Sequence, residues 1–214
     1  AAASIIWGKL LNSGQTCVAP DYVLVSNLVV DDLVLEINKS IEKMYGKNPQ
    51  NSADYSKIVS LKEMDRLIEI INADKDFIIN EYSYNRDNRY IAPVLIKAKL
   101  SDVNNIVSMQ SELFGPILPI IVYDDLDDAT KYINESEIPL AFYPFSTNKA
   151  EVNYLLDGVR YGGATANDTV LHVSSLSLPF GGMGNSGYGS YHGKYSFLTF
   201  SHQQSRLKTS SRYK

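Results

Sequence analysis

Sulfur and imidazole are scarce in this chain, which has one cysteine, Cys17, and three histidines among 214 residues. A single thiol cannot close an intrachain disulfide or furnish a cysteine metal cage, which points to a reducing compartment rather than a stapled secreted fold. His172, His192 and His202 are too widely separated to show metal-ligand spacing, so no metal is expected. No stretch reaches the ~18 apolar residues needed to span a bilayer. Residues 1–11 lack the basic start of a signal peptide, and Lys9 interrupts their apolar run. The expected location is the cytoplasm or the cytosolic face of an intracellular membrane, not the secretory route. Acids are missing from the end of the chain: all 24 precede residue 169, and residues 169–214 hold five bases, including Arg206, Lys208, Arg212 and Lys214. With a net charge of −4 and no basic face interleaved with aromatics, the chain is not expected to bind nucleic acid.

What is present suits one α/β domain, since a 44% hydrophobic content can fill a sizeable core. Residues 3–11 read as a helix, and Tyr22-Val23-Leu24-Val25 as a buried strand. Residues 31–45 carry Leu33, Ile37, Ile41 and Met44 on one helical stripe that stops at Gly46. Ser60 and Glu63 form a capping-box pattern for a helix with Leu61, Met64, Leu67, Ile68 and Ile71 inward. Strands are expected at 77–79, 90–97 and 117–123, with Pro93 delaying the second and Pro119 weakening the third. Asp125 and Asn148 are placed to cap two further helices, and 199–205 alternates as an edge strand. Strands alternating with helices imply an open, mostly parallel sheet covered on both faces. Ligands in such sheets sit beyond strand carboxyl ends, where the loops around Cys17 and Glu112 are expected to meet.

Cys17 follows Asn12-Ser13-Gly14-Gln15-Thr16, a polar, glycine-bent turn between a helix and a strand. A thiol there can meet a substrate, whereas one on either element would face the core. Glu112 stands beside Leu113-Phe114-Gly115-Pro116, and a carboxylate suits a ribose diol because it accepts two hydrogen bonds. Residues 158–193 hold nine of the thirteen glycines and include the G-x-G-x-x-G pattern at 182–187. Pro179 before it, and the lack of an amphipathic helix after it, argue against phosphate binding and for a substrate-side loop with Phe180 as pocket wall. The Asn167 amide is positioned to brace the nucleophile loop, or simply to make a turn.

The run Leu11 to Asp21, Leu-Asn-Ser-Gly-Gln-Thr-Cys-Val-Ala-Pro-Asp, resembles the nucleophile loop of the aldehyde dehydrogenase superfamily. Its Val-Ala-Pro-Asp sequel points to the class 3, fatty aldehyde branch. Glu112-Leu113-Phe114-Gly115-Pro116 resembles the family's Glu-x-Phe-Gly-Pro motif, and Leu178 to Gly187 resembles the branch's C-terminal loop, followed by Tyr191-His192-Gly193 and Phe200-Ser201-His202. The matches run in family order from Ala1 to about Leu207. Ser111 departs from the pattern by replacing the first of two acids.

The resemblance implies a three-layer α/β/α catalytic domain over 1–198, with 199–214 as an oligomerisation strand and basic tail. It implies NAD or NADP as cofactor, an aldehyde as substrate, Cys17 as nucleophile and Glu112 and Phe114 as cofactor holders. Asn12, Asn167 and Phe180 are expected as pocket or loop-support residues. The family's general-base glutamate and cofactor domain lie upstream, and residues 1–16 contain no glutamate, so the chain reads as the catalytic half of a larger, homodimeric protein. Membrane association through a further C-terminal segment is another family expectation. Alternative readings are a CoA-acylating aldehyde dehydrogenase, a non-catalytic fragment that folds and dimerises, and a Cys-His thiol hydrolase.

Overall fold

The computed structural model describes residues 1–209; Arg212 and Lys214 of the basic tail lie outside the described residues. Helix α1 (Ala2–Leu10) buries Ala2, Ile5, Ile6 and Leu10, and the chain leaves the helix where Asn12 and Ser13 turn left-handed. Strand β1 (Val23–Ser26) and helix α2 (Val30–Tyr45) follow, with Ile37 fully buried and Gly46 at φ 76° ending the helix. In helix α3 (Leu61–Ala73) the Ser60 hydroxyl accepts from the Glu63 N–H at 3.2 Å, a cap contributing about 1 kcal/mol. Only half of the capping box forms, because the Glu63 side chain pairs with Arg66 instead.

After α3 come a short antiparallel hairpin, β2 (Tyr84–Asn85) with β3 (Tyr90–Ile91), and then β4 (Val94–Lys99) and β5 (Ile117–Tyr123). Helix α4 (Leu126–Glu135), β6 (Ala141–Phe142), helix α5 (Lys149–Gly158), β7 (Gly163–Ala164) and helix α6 (Gly193–Thr199) complete the order. The Asp125 and Asn148 side chains cap α4 and α5 as their spacing implied. Among the described residues the helices fall short of the length and apolarity needed to cross a membrane.

The main sheet runs β1-β5-β4, all parallel, with Val23 opposite Ile120 and Val94 opposite Ile117. Alternation along the strands sends side chains to two separate cores. Leu95, Leu118 and Ile120 pack with Ile5, Ile6 and Leu10 of α1 and Val30 and Ile37 of α2. Val94, Ile96, Ile117 and Ile121 face the other way, onto Met64, Leu67, Ile70 and Ile71 of α3. This is the expected layer of helices on each face of a parallel sheet. Each fully buried Ile, Leu or Met side chain contributes about 1.5–3 kcal/mol to holding it.

Two sequence expectations fail, over 77–79 and 199–205, whereas the strand expected over 117–123 forms in spite of Pro119. Residues 75–77 form a 3-10 turn and Ile78 makes one isolated bridge to Ile96, so no strand runs over 77–79. Pro119 sits in the central strand: the β1 ladder starts at Ile120, so the missing donor lies outside it. The edge strand at 199–205 is absent, because α6 extends to Thr199 and residues 200–209 have no regular structure. A strand needs a ladder partner, and a single chain offers this segment none.

Candidate active site

Cys17 is exposed, on a turn closed by the Ala19 N–H donating to the Thr16 carbonyl at 2.9 Å. Three consecutive left-handed residues, Asn12 (φ 53°), Ser13 (φ 54°) and Gly14 (φ 78°), reverse the chain between α1 and this turn. Left-handed backbone costs a non-glycine residue roughly 1–2 kcal/mol, so the surroundings must impose it. Asn12 does support the loop: its amide donates to the Gln15 carbonyl at 3.1 Å, and the Gln15 amide returns a bond to the Asn12 carbonyl at 3.0 Å. Gln15 also staples the loop to the approach to α3, donating to the Lys57 carbonyl at 3.0 Å and accepting from the Val59 N–H at 2.8 Å. On the far side the Tyr143 hydroxyl donates to the Val18 carbonyl at 2.7 Å. The Cys17 N–H donates to no acceptor among the described residues, and it remains available to a ligand oxygen.

Cys17, Asp21 and Glu112 line one groove of about 1480 Å³. The loops that carry Cys17 and Glu112 enter the amino ends of β1 and β5, not the carboxyl ends as the sequence led us to expect, and the groove runs from them along β1 to Ser26 and Tyr123. The cause is topological: β1 and β5 are adjacent and parallel, so the loops entering them lie side by side. These loops touch through backbone, for a Cβ on Gly14 would stand 2.2 Å from the Gly115 carbonyl oxygen. Glycine is therefore required at position 14 by both its φ and its neighbour.

The Glu112 loop is held by partners distant in sequence. Its Leu113 N–H donates to Asp21 Oδ1 at 3.1 Å, and Arg66 Nη2 donates to the Leu113 carbonyl at 2.6 Å. The same Arg66 guanidinium pairs with Glu63 at 2.7 Å. Glu112 keeps much of its surface open, yet its carboxyl is held above the usual range. Partial burial is the largest cause and the Asp21 charge adds to it, while Lys9 and Arg66 oppose both. Phe114 has left-handed backbone (φ 48°) and a ring 40% exposed, next to Glu112 but outside the groove lining.

Two expected site residues lie elsewhere. Asn167 Oδ1 accepts from the Ser146 N–H at 2.9 Å and the Asn167 N–H donates to the Pro144 carbonyl, so its amide braces residues 144–146 rather than the nucleophile loop. Phe180 packs against His172, Tyr191 and His192 and bridges Tyr191, away from the groove. Residues that line the groove include no histidine, so a Cys-His pair has no geometric support. His172 Nδ1 bonds Thr165 Oγ1 at 3.0 Å, and burial holds that imidazole below its ordinary pKa. Among the described residues no metal-binding cluster occurs. Sequence reading missed Asp21, Arg66, Gln15 and Tyr143. Only Gln15 and Asp21, both within the quoted 11–21 motif, carried any signal.

Three comparisons bear on these features. The family model described as "Aldehyde dehydrogenase family" matches residues 1–205. The chain is 43% identical over 213 residues to the mouse "Aldehyde dehydrogenase, dimeric NADP-preferring", covering 99% of this chain and 46% of that protein. It is 42% identical over 201 residues to "Aldehyde dehydrogenase family 3 member A2" of Macaca fascicularis, covering 94% and 40% respectively. The solved "Substrate bound state of Staphylococcus Aureus AldH" superposes with a TM-score of 0.91 at 41% identity, over 99% of this chain and 47% of that one. The chain thus spans about half the length of the relatives it matches.

Proposed function

Since the chain belongs to the aldehyde dehydrogenase family, we propose that the complete protein oxidises aldehydes, medium- or long-chain fatty aldehydes foremost, to carboxylates with NAD or NADP. The observation that carries this reading is the chain's only thiol, exposed on a groove it shares with Glu112. The fatty aldehyde class rests on the branch-like runs at 18–21 and 178–187. The Cys17 thiolate adds to the aldehyde carbon and forms a thiohemiacetal, whose oxyanion accepts from the Cys17 N–H. When bound, the nicotinamide cofactor supplies the hydride acceptor. Cys17 holds the acyl group as a thioester until water releases it, with a general base drawn from the part of the protein this chain does not span.

The residues present fit a nicotinamide ribose. The Glu112 carboxylate opens onto the groove of Cys17 and is partly removed from water, which strengthens hydrogen bonds it accepts. Phe114 offers an exposed ring beside it. We place the catalytic unit at 1–198 and assign 199–214 to subunit contact in a homodimer. That assignment is supported by exposed Phe200 and Leu207 and by the mouse relative's description as dimeric.

Reduced cofactor formed from an aldehyde by the complete protein, without CoA, is the expected result; an absolute requirement for CoA would select the acylating alternative. Glu112→Gln is expected to raise the cofactor KM about tenfold, as loss of a charged hydrogen-bond acceptor does. Because the Glu112 carboxyl sits above its ordinary range, it takes up a proton earlier as pH falls. Wild-type cofactor affinity should therefore weaken on acidification before an ordinary carboxylate would titrate, and the Glu112→Gln profile should be flat there.

A further inference from the structure

A phenol from the wall of the groove reaches the nucleophile turn. Tyr143, just past β6, lines the groove of Cys17, and its hydroxyl donates to the Val18 carbonyl at 2.7 Å across 125 positions of sequence. That oxygen belongs to the peptide between Val18 and Ala19, whose N–H donates from the opposite edge to the Thr16 carbonyl at 2.9 Å. One rigid peptide plane is thus held at both ends. Cys17 and Val18 are the two middle residues of the turn that the Ala19–Thr16 bond closes, so the plane governs where the thiol stands.

Tyr143 is itself fixed by its surroundings. Its strand is registered by Phe142 opposite Ala164, and the Thr165 N–H donates to the Phe142 carbonyl at 3.1 Å, one residue before the tyrosine. His172, a buried imidazole bonded to Thr165 Oγ1 at 3.0 Å, lies against the tyrosine ring with 5.8 Å between centroids. The ring therefore has a backstop. Burial pushes the Tyr143 phenol above its ordinary range, so the hydroxyl keeps its proton at neutral pH and remains a donor.

We propose that Tyr143 is a positioning residue for aldehyde oxidation: by holding the Val18 carbonyl from across the groove, it keeps closed the turn that aims the Cys17 thiol and N–H at the aldehyde. The proposal rests on Cys17 as the nucleophile. Val18 is buried, so without the phenol its carbonyl is an acceptor with little water to turn to. Rotating the plane toward solvent would break the Ala19–Thr16 bond and open the turn. The Cys17 N–H would then no longer be preorganised for an oxyanion.

In the complete protein, Tyr143→Phe keeps the ring against His172 and removes only the hydroxyl. The single-turnover rate of reduced-cofactor formation is expected to fall about tenfold, as loss of one hydrogen bond to a buried carbonyl allows, with the NAD(P) KM within about twofold of wild type. Tyr161→Phe is the control, because it deletes a similar phenol-to-carbonyl bond, to Leu156 at 3.1 Å, outside the groove lining. Its rate should match wild type. A Tyr143→Phe rate equal to wild type, an equal fall in both variants, or a fall matched by a comparable rise in the NAD(P) KM overturns the proposal. Undiminished turnover in Cys17→Ser would instead overturn the nucleophile reading on which it rests.

Discussion

Replacing Cys17 with serine in the complete protein is expected to lower aldehyde oxidation by about a thousandfold or more while leaving the fold intact. Serine nearly matches cysteine in size, and position 17 is exposed on a turn whose hydrogen bonds come from Thr16, Ala19 and Tyr143, not from the sulfur. Packing is therefore not what the substitution disturbs. What it removes is the nucleophile: a thiol ionises near pH 8.5 and is strongly nucleophilic as the thiolate, whereas a hydroxyl needs a base to take its proton. No histidine lines the groove to act as that base. Steady-state rates with saturating aldehyde and NAD(P), alongside thermal unfolding of both proteins, check the expectation. Comparable turnover in Cys17→Ser would remove the thiol from the mechanism.

Gly14→Ala is expected to damage both stability and activity although residue 14 carries no reactive group. Alanine resists φ 78°, at a cost of about 1 kcal/mol, and its Cβ would stand 2.2 Å from the Gly115 carbonyl oxygen, where no such contact is tolerated. Because both partners are backbone, relief requires one loop to move away from the other. With strain and displacement together, the cost should reach about 2–4 kcal/mol, the range of severe substitutions. The displacement also separates Cys17 from Glu112, and misplacement of reacting groups by about 1 Å can lower turnover a hundredfold. Thermal unfolding and kcat/KM measured on the same preparation test this. A fall in stability with kcat/KM intact would show that the loop contact is structural only.

Local signals in the sequence carried much of this. The Ser60 cap, the Gly46 helix end and the stripes of α1, α2 and α3 are set by residues within one or two turns of each other and appear in the structure, except that Leu61, expected inward, is exposed in the first turn of α3. Cys17 on a turn was likewise legible, because Asn12 to Gly14 announce a chain reversal by their residue types. Contacts between distant segments were not. Arg66 meets Leu113 across 47 positions and Asp21 meets it across 92, and no periodicity encodes such pairs. Pro119 misled for the same reason, since its tolerance depends on where the β1 ladder begins. The strand-end rule placed the Cys17 and Glu112 loops at the wrong ends of β1 and β5, because the adjacency of those strands is a fact of topology. Asn167 and Phe180 were assigned from loop chemistry, yet their partners, Ser146 and the 172–192 aromatic cluster, were set by tertiary packing.

The most direct test is to quench the complete protein with acid during turnover of an aldehyde and NAD(P), then weigh the peptide that contains residue 17. Covalent catalysis at Cys17 predicts that this peptide gains the mass of the aldehyde less two hydrogens, and that the gain decays once aldehyde is exhausted. Carboxylate accumulating while Cys17 stays unmodified at every quench time, and remains open to alkylation throughout, would contradict it.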